Sequence, residues 1–81
     1  MDKEKREKFL LELYDFQIKQ GHMKGVQINR QGPHDSEFRE NLAIINYWEE
    51  KGIIEVVAKA IGFWVIKLTS YGIDYVENTL M

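Results

Sequence analysis

Eighty-one residues make one small domain, near the lower size at which a chain folds without staples. No cysteine is present, which excludes disulfides and thiolate metal sites, so the core must come from the 44% of hydrophobic residues, with two Trp, four Phe and four Tyr carrying much of the burial. A net charge of −2 and a pI near 5.6 exclude the general basic excess of a dedicated DNA-binding domain, so any DNA binding must rest on where individual charges lie.

The chain begins with a charged stretch of mixed sign, Met1 to Lys8, which does not fit a secretory leader or an anchor. No apolar run approaches the length of a membrane span, and a cytoplasmic location is expected. A first helix is predicted from Asp2 or Lys3 to about Gln20, because Phe9, Leu10, Leu13, Phe16 and Gln17 follow helical spacing and Gly21 stops it. Its first turns, Lys3 to Lys8, read as a solvated face.

Residues 21–34 are the least determined. Val26-Gln27-Ile28-Asn29 alternates between turns at Gly25 and Gly32-Pro33, and reads either as a short third strand beside a hairpin or as an exposed polar loop. From Lys19 to His34 the chain carries Lys19, His22, Lys24, Arg30 and His34 with no acid among them, making this the one basic segment of the chain.

A second helix opens at Asp35 or Ser36 and ends at Gly52. Phe38, Leu42, Ile44, Ile45 and Trp48 form its core stripe at 100° per residue. Arg39, Glu40, Ala43, Asn46, Tyr47, Glu50 and Lys51 fall on the opposite face. A hairpin follows, with apolar residues alternating in Ile54 to Ala58 and Trp64 to Leu68. A loop Ala60-Ile61-Gly62 with Gly62 left-handed pairs Ile54 with Leu68, Val56 with Ile66, Ala58 with Trp64 and Val57 with Val65, and sets Glu55 opposite Lys67. By periodicity both Trp48, on the helix, and Trp64, on the hairpin, point inward. Thr69 caps a last helix with Ile73, Val76 and Leu80 on one side.

The order helix, longer helix ending Trp48-Glu49-Glu50-Lys51-Gly52-Ile53-Ile54, hairpin, and Leu68-Thr69-x-x-Gly72-x-x-Tyr75-Val76 resembles winged-helix proteins. From about Asp35 to Leu80 it is similar, more narrowly, to small uncharacterised bacterial and phage proteins of the YjcQ type. Regulators of the MarR and PadR groups share the same ending. The resemblance implies an α+β winged helix: helix, short strand, helix, two-stranded wing and C-terminal helix. A typical helix-turn-helix has a separate positioning helix, and here only a shortened one around Gly21 to His34 fits, which weighs against standard docking on DNA.

Nothing points to catalysis. His22 and His34 lie outside any HExxH spacing, no carboxylate pair is fixed on one rigid element, and Gly21, Gly25 and Gly32 lack the strand-loop-helix context of a phosphate loop. No enzyme activity, cofactor, metal or membrane partner is expected. The leading function is a DNA-binding, transcription-regulator-like protein: Lys24, Arg30 and His34 contacting phosphate, Arg39, Asn46 and Tyr47 facing the major groove, and Lys59 touching backbone at the wing. The alternative is a winged-helix protein-interaction module without DNA binding. Val57, Phe63 and Val65 form an apolar strip on the outer side of the hairpin, covered either by another segment of the chain or by another protomer. With Tyr14, Tyr71 and Tyr75 spare at the edges of the terminal helices, a homodimer is preferred.

Overall fold

The computed structural model describes residues 2–32 and 35–81. The elements are α1 (Lys3–Tyr14), β1 (Val26–Asn29), α2 (Ser36–Glu50), β2 (Ile54–Lys59), β3 (Phe63–Leu68) and α3 (Ser70–Tyr75). α1 continues into a wider π-type turn at Asp15–Lys19, and α3 into another at Val76–Leu80. The class is α+β. Helices close one core with a three-stranded antiparallel sheet of order β1-β3-β2. The stretch Val26–Asn29 is thus a strand, pairing with β3 from Val26 opposite Ile66 to Asn29 opposite Phe63.

Local chemistry sets the helix ends. Asp2 accepts from the Glu4 amide, the Asp35 carboxylate from the Phe38 amide at 3.0 Å, and Thr69 Oγ1 from the Gly72 amide at 2.9 Å. At the end of α2 the Gly52 amide donates to Glu49 and the Ile53 amide to Trp48, a Schellman motif that needs Gly52 at φ +74°.

The core holds Leu10, Leu13, Ile44, Ile45, Trp48, Ile54, Ile66, Leu68 and Val76. On α1 the buried line is Leu10, Leu13, Tyr14 and Gln17, whereas Phe16, expected in the stripe, is 43% exposed. Gln17 and Tyr14 take the inward places because each finds a partner there. The Gln17 amide acts as a surrogate strand: its Oε1 accepts from the Leu68 amide at 2.6 Å and its Nε2 donates to the Leu68 carbonyl at 3.3 Å. The Tyr14 hydroxyl donates to Glu77 Oε2 at 2.5 Å, tying α1 to the last turn of the chain. Tyr14 is therefore committed to the fold and is not spare for dimerisation.

That hydrogen bond, with burial and the Glu77 charge behind it, raises the Tyr14 pKa above its ordinary value. A raised folded pKa means that the bond contributes below the ordinary tyrosine value, near 10, and is lost as pH rises through the folded value. Thermal melts should therefore show a gap between wild type and Tyr14→Phe at pH 8 that narrows as pH rises above the ordinary tyrosine value. A gap that stays constant through that rise would contradict this linkage.

The proximal half of the hairpin has the expected register: Ile54 opposite Leu68, Glu55 opposite Lys67 and Val56 opposite Ile66. The distal half does not. A bulge leaves Val57 without a partner, so Ala58 lies opposite Val65 and Lys59 opposite Trp64. The Ala60 amide donates to the Phe63 carbonyl at 2.8 Å, leaving only Ile61 and Gly62 in the turn, and Gly62 is not left-handed. The extra residue expected in the loop sits in the strand instead.

Gly62 also has open space around it. Gly62→Ala should therefore change stability by no more than about 0.5 kcal/mol. Gly52→Ala, forced into a left-handed conformation, should cost on the order of 1 kcal/mol. Urea denaturation of the two variants separates them; equal losses would argue against this turn geometry.

Candidate binding surfaces

The residues expected at DNA do not converge on one surface. Lys24 and Arg30 lie beyond opposite ends of β1. Arg30 is held at the hairpin tip, where its amide donates to the Gly62 carbonyl at 2.8 Å. Its charge acts on Asp35, whose pKa is held below the ordinary carboxylate value chiefly by the Phe38 amide, then by the Gln31 amide, with Arg30 a smaller influence. A depressed pKa makes Asp35 stabilising above the ordinary range and progressively less so as pH falls through the folded value. His34 lies outside the described residues.

On α2, Arg39 and Asn46 are exposed as expected. Tyr47 is not a free groove-facing ring. It is half-buried, edge-on to Trp48 at 5.0 Å between centroids, with the Arg6 guanidinium 4.3 Å from its ring centre and Lys51 Nζ at 5.3 Å. Glu40 on the same helix pairs with Lys5 at 3.2 Å, an exposed contact of little energy. Exposed Glu37 and Glu50 add negative charge to α2. Among the described residues between Gln20 and Ser36 there is no helix, so the shortened positioning helix envisaged there is absent from those residues.

Lys59 departs from its expected place because of the bulge. Opposite Trp64, it shares the side of the sheet on which Ile66 and Leu68 are buried, and its Nζ stands 4.6 Å from the Trp64 ring centre. Trp64 is half-buried at the rim of the core, unlike Trp48, which is 4% exposed.

The outer face of the sheet keeps the apolar strip. Val57 is 46% and Phe63 36% exposed, Val65 is half-buried, and Ile61 at the tip is 87% exposed. The stretch Val26–Asn29 lies edge-on beside β3, with Gln27 next to Val65 and Asn29 next to Phe63, and Gly25 before it approaches Val65 so closely that a Cβ there would lie 2.6 Å from Val65 Cγ1.

One further feature had no signal in the sequence. A cleft of about 570 Å³ opens between the first turns of α1, the end of α2 and the start of α3. Arg6 and Lys51 each approach the Tyr47 ring, Glu7 and Glu50 are on the walls of the cleft, and Tyr71 and Tyr75 close one side. Trp48 forms the floor, its Nε1 donating to the Arg6 carbonyl at 3.1 Å and its ring 5.6 Å from that of Tyr75.

Among the described residues no group of three or more His, Asp or Glu is placed to hold a metal ion, and no helix is long and apolar enough to cross a membrane. Comparison with protein-family models, curated proteins and solved structures finds no match for this chain.

Proposed function

We propose that the chain is a winged-helix domain that acts by binding another protein surface, with the outer face of its sheet as the interface. The element order, the β1-β3-β2 sheet and the hairpin before α3 support the winged-helix reading. The exposure of Val57 and Phe63, outside the core that the helices close, carries the interaction reading. The occupant that fits best is a second copy. Glu55 and Lys67 are neighbours on that face, so a two-fold arrangement sets each against its opposite in the partner around an apolar centre. Phe63→Glu should convert a dimer into a monomer in sedimentation velocity with helix content unchanged. A wild-type chain that sediments as a monomer at high micromolar concentration removes the second copy as occupant.

A second reading keeps duplex DNA as the partner of a bacterial or phage regulator. It is favoured by Arg30 and Arg39, both exposed near the end of the molecule where α2 begins. With Lys59 on Trp64, Tyr47 packed and Lys24 elsewhere, few cations are left to reach phosphate. Duplex affinity should accordingly be weak and fall steeply with salt, and Arg30→Ala with Arg39→Ala should lower the salt slope by about one to two units. Absence of duplex binding at tens of micromolar in low salt would rule this reading out.

A further inference from the structure

We propose that the cleft between α1, α2 and α3 is a docking site for a proline-rich segment of another protein in the polyproline II conformation, laid across Tyr71 and Tyr75. Three of the four tyrosines of the chain, Tyr47, Tyr71 and Tyr75, line this one cleft together with Trp48. Tyr47 packs against the Arg6 guanidinium, and Trp48 is 4% exposed, so the rings open to a ligand are the two on α3. Tyr71 is 65% exposed, and half-buried Tyr75 is backed by the Trp48 ring at 5.6 Å. Exposed tyrosines over a fixed floor are the kind of wall on which a protein segment docks, because they give large contact area at small conformational cost.

Spacing selects the segment. Tyr71 and Tyr75 lie on one face of α3, one helical turn apart, which at about 1.5 Å per residue separates them by about 6 Å along the axis. A polyproline II helix rises about 3.1 Å per residue with about three residues per turn, so its alternate residues are also about 6 Å apart and flank one side of its triangular section. Successive rings of the cleft therefore meet alternate residues of such a segment. The polar lining agrees. A proline run presents carbonyl acceptors and no backbone N–H. The cleft offers donors to it, the Tyr71 and Tyr75 hydroxyls and the exposed ammonium groups of Lys3 and Lys51, while the Trp48 N–H is taken by the Arg6 carbonyl. Lys3, Arg6 and Lys51 stand with Glu7 and Glu50, so the charges of the lining nearly cancel and suit a segment without charge of its own.

The site uses none of Val57, Phe63 and Val65 and is independent of the interface on the sheet. Isothermal titration of the full chain with acetylated decaproline amide tests it, with a glycine–serine peptide and a glutamate peptide of the same length as comparisons. Decaproline should bind at one site below millimolar concentration, and the other two at least about tenfold more weakly. Tyr71→Ala alters an exposed side chain and should weaken decaproline by about tenfold, with circular dichroism unchanged. Tyr71→Phe keeps the ring, loses the hydroxyl and should weaken it by about two- to fivefold. Phe63→Glu and Lys8→Ala should leave binding as it is. No decaproline binding at millimolar concentration overturns the proposal. A glycine–serine or glutamate peptide that binds as well as decaproline does so too, as does Tyr71→Ala without effect, Tyr71→Phe as weak as Tyr71→Ala, or Phe63→Glu as damaging as Tyr71→Ala.

Discussion

Truncating Trp48 to alanine is expected to leave the chain largely unfolded at room temperature. The side chain is 4% exposed and meets all three helices: its indole donates to the Arg6 carbonyl, its ring takes the Tyr47 edge at 5.0 Å, and Tyr75 lies at 5.6 Å. Removing a buried tryptophan costs roughly 3 to 5 kcal/mol, which is comparable with the whole stability of a domain of this size. Far-ultraviolet circular dichroism with urea denaturation reads the result, and a cooperative transition close to that of wild type would show that Trp48 does not hold the helices together. Trp64→Ala provides the contrast. Half-buried at the core rim under Lys59, it should lower the transition midpoint and leave a folded protein.

Gly72→Ala should be the most damaging small substitution in the chain. A Cβ at this position would lie 2.1 Å from the Ile53 carbonyl oxygen and 3.0 Å from its carbon, and both are backbone atoms that cannot rotate away. The same carbonyl accepts from the Thr69 amide at 3.0 Å and from Thr69 Oγ1 at 3.3 Å, so lifting α3 to make room breaks these hydrogen bonds as well. Overpacking of this kind costs about 1 to 3 kcal/mol, and losing the hydrogen bonds to Ile53 adds roughly 1 kcal/mol. A urea midpoint within error of wild type would mean that α3 can shift freely on Ile53, contrary to the close approach described here.

That glycine shows the division between what a linear pattern carries and what it does not. The spacing Leu68-Thr69-x-x-Gly72 signals a cap followed by a helix, and both are present. The reason for glycine at that position is an approach to Ile53, which only the packed structure displays. The hairpin divides in the same way. Ile54, Val56, Ile66 and Leu68 alternate with charged Glu55 and Lys67, so a slip there would bury charge, and the register follows from the residues alone. Beyond Val56 the chain reads Val57-Ala58-Lys59, in which two small apolar residues fit either face. The alternation then says nothing about whether the extra residue sits in the turn or in the strand.

The candidate surfaces were legible to different degrees for the same reason. The outer strip came from strand alternation and kept its exposed Val57 and Phe63 despite the bulge. The cleft draws its cations from residues 6 and 51 and its exposed ring from residue 71, each unremarkable in its own segment. Arg6 in particular lies in a run that reads as a solvated helix face.

By itself the sequence determined the three helices with their caps and stop, the hairpin and its proximal register, because these depend on periodicity and on residues that bond to their own neighbours. Only the tertiary structure decided that Val26–Asn29 joins the sheet, that Tyr14 and Gln17 turn inward, that Val57 bulges and sends Lys59 onto Trp64, and that Arg6 packs against Tyr47. Each of these rests on a partner distant along the chain, and the free energy that selects it exists only once the packed core has brought the two together.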